Sequence, residues 1–399
     1  MNSPLRILHV TTYLHPDRFG GAERVVDGLA RAQARAGHEV VVVAGNLARG
    51  ISDQVSGGVR WLFFELPSGA RGWRFFRRAH RACRALLKNL AGREFDLVHT
   101  HQPATALCPR GIPGLAHLRV HSFYAPYHAE WAVEQGRFEP DGRPDLGHRL
   151  KRHALARLDR LCLDRAGRVV VLSETSRRQV LELHDQIAGR IAHVPPGVDL
   201  DRFHPAPSRS PNRRPLILTV RRLVRRMGLD LALEAASLLR ARGCAFDLLM
   251  AGEGPLFSEL EDSIRRTGLC DRVRLIGPVP ESELPELYRA ADLFLLPTRR
   301  LEGFGLVTLE ALACGTPVIA TDVGANGEVL RDLLPECPPV PARPEALAAA
   351  LEQAFDRIEP LRDAASRSAS RVAEVYGWPA AALRLERVYR EALAREPVA

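Results

Sequence analysis

The apolar and polar positions of this chain fall into two successive rounds of strand and helix patterns. Residues 5–10 (LRILHV) form a short apolar run, the pattern of a buried strand. A Gly20-Gly21 loop follows, then a helical run from Ala22 to Ala36, a stop at Gly37-His38 and a second strand in EVVVVAG. After a polar, Pro-rich stretch at 205–215 (PAPSRSPNRRP) the same grammar returns. LILTV reads as a strand, RRLVRRMG as a loop, Leu229–Arg240 as a helix and AFDLLMAG as a strand. Further strands are expected at Val273–Ile276, Leu293–Leu296 and Pro317–Ala320, separated by helix-length segments. Such alternation predicts an α/β fold with parallel sheets covered on both faces. The expected organisation is two facing Rossmann-like domains, 1–204 and 216–377, joined by a linker at 205–215. Ligands would bind in a cleft between them, at the carboxyl ends of the strands. The amphipathic helix Trp378–Leu393, within 378–399, either caps the second domain or packs back toward the first.

The most informative chemistry lies in residues 302–328, EGFGLVTLEALACGTPVIATDVGANGE. Glu302 precedes a Gly303-Phe304-Gly305 turn that runs into a helical pattern carrying Glu310. A glycine turn entering a helix presents unpaired backbone N–H groups and the positive end of the helix dipole, which attract phosphate. Two carboxylates flanking that anion site can accept hydrogen bonds from sugar hydroxyls. The combination suits a sugar nucleotide.

Length and composition fit such an enzyme. A chain of 399 residues, 46% hydrophobic and 26% charged, points to two globular domains. The opening MNSPLRILHVTTYLHP reads as a strand and not as a leader, and no apolar run reaches the roughly 20 residues needed to cross a bilayer. Seven scattered cysteines without a CxxC pair argue for reduced thiols in the cytoplasm, with no zinc or disulfide frame. Lys and Arg number 56 against 47 acids, and arginine dominates. Eight of the basic residues fall in 71–93, without an acid, interleaved with Trp73, Phe75 and Phe76. That segment reads as a basic amphipathic helix on an anionic membrane surface, on the inner face, or as a plain solvated helix with its apolar side to the core. No nucleic-acid motif accompanies the charge.

Several motifs together resemble the retaining glycosyltransferases of family 4, which have the GT-B architecture. In order they are GGAERVVDGLARAQARAGHEVVVVA, VPPGVDLDRFHP, RRLVRRMG, AGEGP, LIGPVP, LYRAADLFLLPT and the Glu302-x7-Glu310 element. The resemblance implies transfer of a sugar from a nucleotide diphospho-sugar, without a metal or other cofactor, to a small-molecule, glycan or lipid-linked acceptor. It implies that Glu302 holds the donor sugar, that the backbone of Gly303, Phe304, Gly305, Leu306 and Val307 holds sugar and diphosphate, and that Glu310 holds the ribose. Arg222 takes the place of the family's diphosphate arginine, Gly252 and Glu253 belong to the donor side, and Val279 lies where the base is cradled. Gly20 and Gly21 would let the first domain approach the phosphates. Retention would follow from attack on the leaving-group face, with the diphosphate oxygen taking the acceptor's proton.

Two positions depart from the family pattern. Met227 stands where a lysine is common, leaving Arg225 or Arg226 to supply the cation. Tyr124 stands where the family has a histidine, with His121 three residues before it and His128 four after. Tyr124 or His128 is expected in the site, His121 as a structural strand residue. A sugar phosphorylase or epimerase, or a non-catalytic sugar-nucleotide-binding subunit, would share parts of this pattern. A dinucleotide oxidoreductase would not, since no G-x-G-x-x-G follows either first strand.

Overall fold

The computed structural model describes residues 3–14, 20–46, 53–66, 72–90, 92–115, 118–134, 146–206 and 212–395. They form two compact units. One comprises Met1–His128, Leu146–Gly197 and Trp378–Ala399, the other Ala129–Asp145 and Val198–Gly377.

The first unit is built on β1 (Arg6–Thr11), β2 (Glu39–Asn46), β3 (Asp53–Ser56), β4 (Val59–Glu65), β5 (Leu97–Thr100), β6 (Leu118–Phe123), β7 (Arg168–Val171) and β8 (Ile191–His193). Their order in the sheet is β3-β4-β2-β1-β5-β6-β7-β8, and every pair is parallel except β3 with β4. Side chains alternate across a strand, so the valines of β2 serve both faces. Val41 and Val43 join Leu8, Val10 and the Ala79, Cys83 and Leu87 face of the Gly72–Lys88 helix. Val40 and Val42 join Trp61, Phe63 and the Val26 and Ala30 face of the Gly21–Arg35 helix. The 72–88 helix is therefore half core; Arg74, Arg77, Arg78 and Arg81 are exposed, whereas Arg84 is half-buried and donates to the Cys108 carbonyl at 3.0 Å.

The second unit holds β9 (Leu216–Val220), β10 (Asp247–Ala251), β11 (Val273–Gly277), β12 (Leu293–Leu296) and β13 (Val318–Ala320), all parallel. The order is β11-β10-β9-β12-β13. In each sheet the first strand lies inside, with its sequence neighbour on one side and a later strand on the other. The loops that follow β1 and β5, and those that follow β9 and β12, thus diverge at a topological switch point, where open α/β sheets bind ligands.

The domain limits differ from the sequence expectation. The chain passes from one unit to the other at Gly197/Val198, ahead of the expected 205–215 linker. The reason is contact: Phe203 already packs edge-on against Tyr288, ring centroids 5.9 Å apart, and Asn212 donates to the Asp292 carboxylate at 2.7 Å. Residues 207–211 of that linker lie outside the described residues. The helix Trp378–Leu393 belongs to the first unit, where it packs on the Gly21–Arg35 helix.

That helix is seated through Gly28, where an added Cβ would lie 2.1 Å from the Trp378 ring. Gly28→Val is expected to lower stability by about 1–3 kcal/mol through overpacking. Urea denaturation followed by Trp fluorescence measures it, and Ala at the open Gly189 position serves as the control.

Candidate active site

In the second unit two loops meet at the switch point. The loop after β9 runs through a short 3-10 turn, Arg225–Met227, and the loop after β12 runs from Pro297 to Gly305. Gly228 lets them touch: its φ is 71°, and a Cβ there would lie 1.8 Å from the Pro297 carbonyl oxygen. The backbone N–H groups of Arg299 and Arg300 donate to the Arg226 carbonyl at 2.9 and 3.2 Å.

This juncture buries an ion pair. Arg221, 8% exposed, donates to Glu302 at 2.5 Å and to Thr298 Oγ1 at 3.1 Å. Thr298 in turn donates to the same carboxylate oxygen at 3.1 Å. Burial by itself pushes the Glu302 carboxyl up. The Arg221 and Arg226 charges and the hydrogen bonds from Arg221 and Thr298 outweigh it, and the net shift is downward. Arg226 also donates to the Leu301 carbonyl at 3.0 Å and to Glu130 at 3.1 Å. Leu301 has φ 57°, the one non-glycine in the left-handed region among the described residues, so Arg226 braces a strained backbone beside Glu302.

The Gly303–Gly305 turn delivers the chain into the Leu306–Ala313 helix, capped by Gly305 in left-handed geometry without a side-chain cap. The Thr308 N–H is taken by the Gly305 carbonyl at 2.8 Å, so it is the N–H groups of Leu306 and Val307 that depend on groups outside the helix or on ligand. Phe304 is buried against Tyr376, with ring centroids 5.9 Å apart. Two buried oxygens flank Gly305 without a protein partner, Thr308 Oγ1 and Asn326 Oδ1. Orphaned buried acceptors of this kind call for water or a ligand. Glu310 lies buried one turn on and accepts from Tyr288 Oη at 2.8 Å.

The other expected residues take varied places. Arg222 is exposed, the opposite of its neighbour Arg221. Arg225 is exposed and pairs with Glu259 at 3.3 Å, so of the two candidate replacements for lysine only Arg226 is drawn to the turn. Met227 is buried with its sulfur 2.7 Å from the Arg221 guanidinium. Gly252 and Glu253 brace the same loop from behind: Gly252 abuts the Arg221 carbonyl, and the Glu253 carbonyl accepts from Leu223 N–H at 2.8 Å. Val279 is half-buried just beyond β11.

In the first unit Gly20 caps the Gly21–Arg35 helix in extended geometry, with the Glu23 carboxylate over it, and Gly21 is exposed. Tyr124 lies just beyond β6 with its hydroxyl 2.7 Å from His101 Nδ1. Burial pushes the phenol up and keeps it neutral. His128 donates from both its backbone N–H, at 3.2 Å, and its Nδ1, at 2.9 Å, to the Asp159 carboxylate. His121 is buried on Thr100 Oγ1 at 2.9 Å, and burial lowers it to about 4, as befits a structural strand histidine. Sequence reasoning missed Arg221, Thr298, Asn326, His101 and Asp159. The paired arginines after LILTV were the one available signal for Arg221.

The ion pair gives a pH signature. Glu302's folded value lies below its ordinary 4.5, so the stability it contributes is complete above 4.5 and is lost as pH falls through the lower folded value. Acid titration of the melting temperature should show this loss in the wild type, and a flatter profile in Glu302→Gln. Parallel profiles would mean that the pair contributes nothing.

The sequence matches the family model described as Glycosyltransferase Family 4 over residues 19–202 and that described as Glycosyl transferases group 1 over 201–371. A D-inositol 3-phosphate glycosyltransferase from Kineococcus radiotolerans is 33% identical over 340 residues, 76% of this chain and 73% of that one. A protein of the same name from Thermobispora bispora is 37% identical over 250 residues, and the match spans 58% of each chain. Among solved structures, a sucrose-phosphate synthase from Thermosynechococcus elongatus superposes with a TM-score of 0.81 at 22% identity, over 98% of this chain and 100% of that one. The chain has the GT-B fold and belongs to the group 1, family 4 glycosyltransferases.

Proposed function

We propose that the chain moves a sugar from a nucleotide diphospho-sugar to an acceptor hydroxyl with retention of configuration and without a metal. The observation that carries this reading is the Glu302–Val307 turn at the switch point of the second sheet, with its buried Arg221–Glu302 pair and two unpartnered oxygens. In this proposal the β-phosphate lies at the N-terminus of the Leu306–Ala313 helix with Arg222 beside it. Departure of the diphosphate builds negative charge there, and fixed N–H dipoles and a guanidinium stabilise it without reorganisation. Those groups supply the counter-charge a metal would otherwise provide. Glu302, held ionised, accepts from donor-sugar hydroxyls. Glu310 accepts from the ribose, its carboxylate aimed by Tyr288. Val279 flanks the base, and Arg226 acts indirectly by holding the turn.

The names of the relatives support a polyol acceptor such as an inositol phosphate. A lipid-linked acceptor is supported by the 72–88 helix, where Arg74, Arg77, Arg78 and Arg81 are exposed and Trp73 is 74% exposed. Phe75 and Phe76 are instead turned to Tyr13 and Tyr127, with centroids 5.8 and 5.7 Å apart, so Trp73 alone supplies the apolar contact. No helix among the described residues is long and apolar enough to cross a membrane. Arg71 and Ala91 of the basic segment lie outside the described residues. A non-catalytic sugar-nucleotide-binding subunit is the second reading, favoured by Met227 and Tyr124.

Release of UDP, GDP or ADP from a panel of sugar nucleotides, with D-inositol 3-phosphate among the acceptors, tests the proposal. Arg222→Ala and Glu302→Gln are each expected to reduce transfer by about 10²–10³-fold. Chelator should leave the rate unchanged, and the anomeric proton coupling of the product should match that of the donor. Nucleotide binding without turnover in the wild type would favour the non-catalytic reading.

The membrane proposal has its own test. Wild type should sediment with anionic vesicles at low salt, and replacing Arg74, Arg77, Arg78 and Arg81 with Gln should abolish it. Equal sedimentation of both proteins, or none by the wild type, would remove the lipid surface from the account.

A further inference from the structure

Behind Tyr124 in the first unit, seven side chains from five separate elements lie in a ring joined by six hydrogen bonds. Gln33 Oε1 accepts from His9 Nε2 at 2.7 Å, and His9 Nδ1 lies 2.9 Å from His101 Nε2. His101 Nδ1 lies 2.7 Å from the Tyr124 hydroxyl. Ser122 Oγ lies 2.8 Å from His99 Nε2, and His99 Nδ1 lies 2.6 Å from the Tyr389 hydroxyl. Gln33 Nε2 donates to that hydroxyl at 3.5 Å and joins the two arms.

Burial lowers all three ring histidines, so each is a neutral imidazole with one N–H and one lone pair. The amide of Gln33 then sets the direction. Its oxygen takes a proton from His9 Nε2, so His9 Nδ1 accepts from His101, and His101 Nδ1 accepts from Tyr124. Its nitrogen donates to Tyr389, which donates to His99, which donates to Ser122. The nitrogens of His9, His99 and His101 come within 4.8 Å of one another, a spacing able to hold a metal ion, yet all six ring nitrogens have protein partners.

Six members of the ring are at most 2% exposed, whereas Tyr124 is partly exposed. Its single proton is committed inward to His101, which leaves its lone pairs to accept. We propose that this ring fixes Tyr124 as a hydrogen-bond acceptor toward a proton-donating group of the acceptor substrate, a hydroxyl and not a phosphate or carboxylate, with His101 as its positioning residue. The proposal rests on the glycosyltransferase reading and on Tyr124 occupying the family's histidine position. Tyr389 makes the C-terminal helix part of the same device.

Two measurements test it on the full chain. With histidine-selective ¹⁵N labelling, His9, His99 and His101 should each show one neutral tautomer with a slowly exchanging N–H at neutral pH. In Tyr124→Phe the N–H groups of His9 and His101 should lose that protection. A charged or tautomer-averaging imidazole in the wild type, or signals indifferent to Tyr124→Phe, would overturn the ring. With D-inositol 3-phosphate as probe acceptor, Tyr124→Phe and His101→Phe should each raise its KM about tenfold, the loss of one hydrogen bond, and leave the donor KM unchanged. The double variant should be no worse than Tyr124→Phe alone. Multiplying effects would mean that His101 does not act through Tyr124. Absence of nucleotide release by the wild type with any donor overturns the glycosyltransferase reading instead, and the tautomer measurement still decides the ring.

Discussion

A guanidinium and a carboxylate withdrawn from water together set the conditions for the second unit's site. Neither Arg221 nor Glu302 could be buried alone, because an unpaired charge there would be neutralised or exposed. Paired at 2.5 Å, with Thr298 bonded to both, they tie the loop after β9 to the loop after β12. The tie fixes the start of the glycine turn, and the turn fixes where the N-terminus of the Leu306–Ala313 helix points. Glu302 is thus kept ionised as a hydrogen-bond acceptor at the edge of an anion-attracting helix end. A donor that carries both hydroxyls and a diphosphate matches those two features side by side.

The first unit handles polarity in another way. Its switch point holds neutral imidazoles, phenols, a serine and an amide in place of ions, and their hydrogen bonds to one another offset the penalty of burying them. Such a network is rigid because no member can rotate without leaving a neighbour unpaired. One unit thus presents an ionised acceptor framed by cations, and the other a neutral acceptor aimed by a ring. The C-terminal helix contributes to the second arrangement through Tyr389, and Trp378 under Gly28 seats that helix.

What could be read from the sequence was whatever is encoded locally. The strands β1, β2, β9, β10, β11, β12 and β13, three to eight residues long, were visible because their short apolar runs stood between glycine turns and helical patterns. β5 and β7, four residues each, and β8, three, are no shorter than β12 and β13, but they lack the regular helix-length segments on either side that marked those two. The Glu302–Glu310 turn was legible because glycines and a helix start specify backbone geometry by themselves. Arg221 was not, since its partner lies 81 residues away and they meet only because β9 pairs with β12. The same holds for His101 and Tyr124, brought together by β5 lying beside β6. The expected linker failed for the reverse reason: proline and serine suggest a connection, but Phe203 and Asn212 already have partners in the second unit.

The proposed reading of donor-sugar hydroxyls by Glu302 is tested most directly by comparing an accepted donor with its deoxy analogues, one hydroxyl removed at a time, in wild type and in Glu302→Gln. Loss of a hydroxyl that faces Glu302 should lower kcat/KM strongly in the wild type and have little further effect in the variant, because the interaction is already gone. Equal penalties in the two proteins for every hydroxyl would contradict the assignment.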